Sequence, residues 1–162
     1  MNTLLDKIKK DFKINSFKSG IILFFYRLRN YTFLKDKKIM LLILNYFYKL
    51  LKVILNINSQ ISYKAKIGSN IRMPHMGQGV VISSKSIIGN NVTIFHQVTI
   101  GINENLKGKN QEIYIGNNCY ISAGAKIISS KMGDNVVVGP NAVVYKDVEN
   151  DSVVLNQVLY RK

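Results

Sequence analysis

From residue 61 onward an aliphatic side chain returns at every sixth position. Ile61, Ile67 and Met73 open the series, Ile82, Ile88, Ile94 and Ile100 continue it, Ile115, Ile121 and Ile127 resume it, and Met132, Val138 and Val144 close it. An α-helix repeats its apolar face at every third or fourth residue and a half-buried strand at every second, so neither accommodates a beat of six. A coil built from short flat sides does, each side burying one aliphatic residue in a ladder that runs through successive turns. A small residue often follows the aliphatic one, as in IGSN, IGNN (twice), ISAG, MGDN and VGPN. Glycine and asparagine accept the backbone geometry of a corner, which is where these words fall.

The series does not reach the front of the chain. Of 11 glycines only Gly20 precedes residue 57, and both prolines, Pro74 and Pro140, follow it. Residues 1–56 carry 12 basic and 3 acidic side chains and two long apolar runs, GIILFFYRLRNYTFL and IMLLILNYFYKLLKVIL. The chain therefore divides into a helical N-terminal region, 1–57, and a repetitive domain, 58–162. In the second run Leu41, Leu44, Tyr48, Leu51 and Leu55 share a helical face, with Lys49 and Lys52 to one side. Arg27, Arg29, Asn45, Lys49 and Lys52 interrupt both runs short of a membrane span, and no small-residue cleavage site marks a signal peptide. Two readings of this region stand: a helical appendage packed on the main domain or on other subunits, or a basic amphipathic surface resting on anionic lipid at the inner face of the membrane.

A net charge of +14 attracts nucleic acid, anionic lipid or phosphorylated ligands, but lysine is abundant along the whole chain and the excess reads first as composition. Nucleic-acid binding is not expected, because the basic residues sit in no recognised binding motif and a coil of short sides offers no element to enter a groove. The single cysteine, Cys119, forms no disulfide framework or thiolate cluster, fits a reducing cytoplasm, and reads as a small core residue.

The hexads KAKIG (64–68), GVVIS (79–83), IGNNVTIFHQVTIG (88–101), IGNNCYISAGAKI (115–127) and GDNVVVGPNAVVYKDV (133–148) resemble the hexapeptide-repeat acyltransferases. Their order is similar to that of serine acetyltransferases and of relatives that acetylate capsule or lipopolysaccharide sugars. The resemblance covers about the last two thirds of the chain. It implies a mainly β protein, a left-handed parallel β-helix with three hexads per coil, against the usual right-handed crossover. It also implies a homotrimer or dimer of trimers, with acetyl-CoA as co-substrate, no metal, and a coenzyme site between adjacent subunits.

The beat breaks at three places, where a solenoid admits function. The spacing is nine from Met73 to Ile82 across MPHMGQGV, fifteen from Ile100 to Ile115, and five from Ile127 to Met132. His75 lies in the first break. In the resembling family the histidine of this segment is the general base, and a neutral imidazole suits the task because it takes a proton near neutral pH and returns it to the leaving thiolate. His96, in IFHQVTIG, is the second catalytic candidate, in a supporting role. The resemblance places the pantetheine arm where small side chains admit it, at Gly101, Ala123, Gly124 and Gly139, with Lys126 and Lys146 at the phosphate end. Lys107 and Lys109, in the second break, are further candidates for phosphate.

Three positions depart from the serine acetyltransferase pattern. Pro74 replaces an aspartate before the histidine, Gln60 replaces an aspartate one coil earlier, and Glu112-Ile113 replaces a His-Pro pair; Gln157 also stands where a proline is usual. Gln60 and Glu112 are accordingly the acceptor-side candidates, and Glu112 or a backbone carbonyl the candidate to orient His75. On these departures the expected acceptor is a sugar hydroxyl of a surface polysaccharide or its precursor. The alternatives are serine O-acetylation for cysteine biosynthesis and, from another class, a non-catalytic membrane-associated scaffold.

Overall fold

The computed structural model describes residues 3–103, 112–128 and 130–155. Three helices come first. In α1 (Leu4–Ile14) the Thr3 hydroxyl accepts from the Asp6 amide at 3.2 Å while the Asp6 carboxylate accepts from the Thr3 amide at 3.0 Å, a reciprocal cap that starts the helix. The Ser16 hydroxyl, accepting from the Ser19 amide, starts α2 (Phe17–Leu34), and α3 (Lys38–Ile54) follows a short turn. The face of α3 read from the sequence is the inward one: Tyr48 is buried and Leu41, Leu44, Leu51 and Leu55 are half-buried, whereas Ile39, Leu42 and Val53 are exposed. Among the described residues no helix is long and apolar enough to cross a membrane.

Among the described residues thirteen short strands then wind into a left-handed parallel β-helix with three faces. They are β1 (Gln60–Ile61), β2 (Lys66–Ile67), β3 (Val81–Ile82), β4 (Ser86–Ile88), β5 (Thr93–Ile94), β6 (Thr99–Gly101), β7 (Ile113–Ile115), β8 (Tyr120–Ile121), β9 (Lys126–Ile128), β10 (Lys131–Met132), β11 (Val137–Val138), β12 (Val143–Val144) and β13 (Val153–Val154). Face one is β1-β3-β6-β9-β12, face two β2-β4-β7-β10, and face three β5-β8-β11-β13. The register stacks the six-residue beat on itself: Ile61, Ile82, Ile100, Ile127 and Val144 pair in turn on face one, and Ile67, Ile88, Ile115 and Met132 on face two. All of these are buried, each contributing about 1.5–3 kcal/mol of apolar transfer.

Side chains also stack at the corner between faces two and three. The Asn90, Asn117, Asp134 and Asn150 oxygens accept, respectively, from the backbone amides of Ser69, Asn90, Asn117 and Asp134 in the preceding coil, at 2.6–2.9 Å. Beside them Asn70, Asn91, Asn118, Asn135 and Asp151 form a second ladder of side-chain hydrogen bonds, all five with positive φ. At the same corner Gly89 has no room for a side chain, since a Cβ there would lie 2.6 Å from the Gly116 carbonyl oxygen.

A coil stacked this way has an open end, and here α1 and α2 cover it. Ile22, Leu23 and Tyr26 join the same apolar cluster as the β-helix ladder. Polar side chains of the helices take up the backbone groups of the first coil. Arg27 donates to the Ile67 and Gly68 carbonyls and, at 3.0 Å, to Asp11, whose other oxygen accepts from the Ile71 amide. Tyr26 donates to the Ala65 carbonyl and accepts from the Ile67 amide. Asn15 bonds both the Ile71 carbonyl and the Met73 amide, and Ser19 donates to the Met73 carbonyl. Buried backbone groups need partners, and the helices supply them in place of a further coil.

Candidate active site

Along face one the chain advances 21, 18, 27 and 17 residues per coil. The three residues beyond eighteen in the first coil form the break that holds His75, and the nine beyond eighteen in the third belong to the segment after Gly101. Of that segment 104–111, with Lys107 and Lys109, lies outside the described residues, as does Gln157.

The break sits at the corner between faces three and one. His75–Gly77 forms a single 3-10 turn in which His75, Met76 and Gly77 all have φ between 53° and 60°. A non-glycine residue is held there only when its surroundings enforce it, and such positions concentrate at functional sites. The enforcement comes from the helices. Asn15 and Ser19 fix both backbone groups of Met73, and Gly77 is pressed so closely on Met73 that a Cβ would meet its methyl carbon at 2.6 Å. Asn15 and Ser19 were not legible as site residues, because nothing local in the sequence joins them to residue 73.

One coil on, the same corner carries His96. Its ring centroid lies 4.7 Å from that of His75 with the planes at 76°, and Phe95 flanks His75 at 5.9 Å. The two histidines of the chain therefore meet. The Nδ1 of His96 is buried with no hydrogen-bond partner, and among the described residues the imidazole of His75 has none. A cavity of about 400 Å³ opens beside His75, lined by Ile14, Asn15, Ser16, Arg72, Met73, Pro74 and Met76. Arg72 adds a cationic residue to that lining.

The later coils place Ala123, Gly124 and Gly139 on this same corner, linked by Gly124 N–H to the His96 carbonyl and Asn141 N–H to the Ala123 carbonyl. Gly124 has φ 72° and a Cβ there would collide with Asn141, so the fold already requires that glycine, while Gly139 lies close against Val154 and Leu155. Lys126 turns its ammonium onto the Gln97 and Gly124 carbonyls at 3.1 and 2.6 Å. The remaining candidates lie elsewhere. Gly101 ends β6 with only ordinary van der Waals neighbours, Glu112 precedes β7, and Lys146 follows β12 with its ammonium 5.9 Å from the Tyr145 ring. These three mark the edge between faces one and two. Gln60 lines a different cavity, which shares no residue with that of His75, and Glu112 makes no hydrogen bond to either imidazole. Cys119 is buried and its thiol pKa is raised by that burial, as for a core residue. No group of three His, Cys, Asp or Glu side chains is gathered among the described residues.

No protein-family model matches the chain. A serine acetyltransferase of Helicobacter pylori is 43% identical over 89 residues, 54% of this chain and 51% of that protein. Soybean serine acetyltransferase superposes with a TM-score of 0.74 at 27% identity, covering 88% of this chain and 56% of the soybean chain. A serine acetyltransferase in complex with CoA superposes with a TM-score of 0.70 at 26% identity, covering 87% and 55%. The chain thus spans about half the length of the relatives it matches.

These findings overturn the expected sugar acceptor: the relatives and structures just named are serine acetyltransferases, not enzymes of capsule or polysaccharide. The three departures do not carry that expectation either. Pro74 and Ile113 bring no hydrogen-bonding side chain with which to hold a sugar, and Gln60 and Glu112 lie outside the cavity beside His75. The chain is similar to hexapeptide-repeat acetyltransferases of the serine-specific kind.

Proposed function

We propose that this protein is an acetyl-CoA-dependent serine O-acetyltransferase with His75 as general base. The observation that carries the reading is the corner of the coil: an imidazole held in a strained turn at a break clamped by the helices, against a second imidazole and beside a cavity with a cationic residue in its lining. The likeness to serine acetyltransferases supports the acceptor.

In this mechanism the serine carboxylate pairs with Arg72 and its hydroxyl faces His75. His75 takes the hydroxyl proton as the oxygen bonds to the thioester carbonyl carbon. The carbon–sulfur bond then breaks, and the imidazolium returns the proton to the thiolate, leaving O-acetylserine and coenzyme A. His96 fills a supporting place against the His75 ring. The pantetheine arm runs where Gly101 and Ala123 leave the wall low, and Lys146 meets a phosphate. Gly101 and Lys146 lie on a different edge from Ala123, Gly124 and the histidines, so a coenzyme held by both sets fits between two copies of the chain, and a trimer is the expected assembly.

The test is acetyl-CoA-dependent release of free thiol with L-serine as acceptor. The wild-type protein should show serine-dependent turnover, and His75→Ala should lose at least about a hundredfold in kcat. A wild-type protein with no serine-dependent release, or a fully active variant, overturns the reading.

A further inference from the structure

A second cavity, of about 620 Å³, lies between α3 and the start of face one, with Arg29, Lys49, Lys52, Tyr48 and Ser59 in its lining and no aspartate or glutamate. Its polar groups are unusually short of partners. Arg29 is 8% exposed, stacked on the Tyr48 ring at 4.1 Å and facing Tyr63 at 5.9 Å. Its Nε donates to the Phe25 carbonyl, but Nη2 is buried with no acceptor. The Tyr48 hydroxyl and the Ser59 hydroxyl are also buried without a hydrogen bond; Ser59 lies near enough to ease ionisation of Tyr48, yet the two are not in bonding geometry. Burial lowers the pKa of Arg29 and raises that of Tyr48, the directions expected of groups shut away from water.

A buried guanidinium with an orphaned nitrogen and no carboxylate nearby is a rare arrangement, and a native protein keeps one where something else supplies the acceptor. The needed partner accepts several hydrogen bonds at once and carries more than one negative charge, since three cations surround it. A phosphate dianion does both, and the planar fork of arginine suits it. The cavity exceeds the size of a lone oxyanion, and the Tyr48 and Tyr63 rings with Val81 give it apolar walls. We infer that this cavity binds a phosphate monoester of a small organic molecule. The dianion enters past the long side chains of Lys49 and Lys52 to reach Arg29, Tyr48 and Ser59, and the organic body lies against the rings. The site shares no lining residue with the His75 cavity and does not rest on acetyl transfer.

Calorimetry on the full chain at constant ionic strength tests this with phenyl phosphate, inorganic phosphate and phenol as probes. Phenyl phosphate should bind saturably and more tightly than inorganic phosphate, phenol should not bind, and His75→Ala should leave the affinity unchanged. Because Arg29 is packed between two rings, the deciding variant is Lys49→Gln with Lys52→Gln at the mouth, which should weaken phenyl phosphate by about tenfold or more while leaving the folded far-ultraviolet spectrum intact. Absence of saturable binding, or equal affinity in the double variant, overturns the inference. Loss of binding in His75→Ala does so too, by placing the phosphate at the histidines.

Discussion

Two imidazoles in contact need different jobs, and their surroundings divide the work. His75 is exposed at the cavity and, among the described residues, its ring makes no hydrogen bond, as a base that must meet a substrate proton requires. His96 is half-buried, with Nδ1 sealed from water and no partner, so its contribution passes through the neighbouring ring. In the proposed mechanism it acts as a positioning residue. His96→Ala should therefore lower kcat by about tenfold to a hundredfold with little change in the KM for acetyl-CoA, and His96→Gln, which keeps a polar side chain at the spot, should recover part of that loss. Steady-state kinetics of both variants check it. An Ala variant with unchanged kcat would leave His96 as wall only.

At the scale of elements, the corner ladder ties successive coils through one continuous run of side-chain hydrogen bonds. Asn117 is its middle rung, accepting from both the backbone and side-chain nitrogens of Asn90 while its own nitrogens donate to Asp134. Asn117→Ala should cost about 0.5–1.5 kcal/mol in urea unfolding, because it removes the acceptor of the Asn90 amide; a loss within a few tenths would show that water replaces the rung. This ladder also marks what the sequence makes legible. The strands were readable because one face consumes one hexad, so a residue every six stacks on its equivalent, as Ile67 does on Ile88. The meeting of His75 with His96 is written in the same arithmetic: they are 21 residues apart, the length of the first coil. The closure of the open end was not readable. Its bonds join Asp11 to Ile71 and Arg27 to Ile67, residues 60 and 40 apart, and no local period reports such a pairing. The acceptor was misread from three substituted positions, two of which, Gln60 and Glu112, fold away from the His75 cavity.

For the whole molecule, the consequence is that helices and coil share one core and one polar seam, and the seam's centre is the ion pair of Asp11 and Arg27, 1% and 3% exposed at the side chain. Each charge is desolvated and each is bonded to coil backbone as well as to its partner, so removing one strands the other. Asp11→Leu should cost about 3–5 kcal/mol, and Arg27→Met a comparable amount, whereas the double variant should cost clearly less than the two together. Urea unfolding of the four proteins measures the cycle. Strict additivity would mean that the pair acts only through separate backbone contacts. The same seam holds Met73 through Asn15 and Ser19 and thereby the strained turn of His75. In Asp11→Leu, serine-dependent turnover should therefore decline at temperatures where the coil is still folded, since loosening the helices frees His75 from its left-handed backbone before the aliphatic ladder gives way.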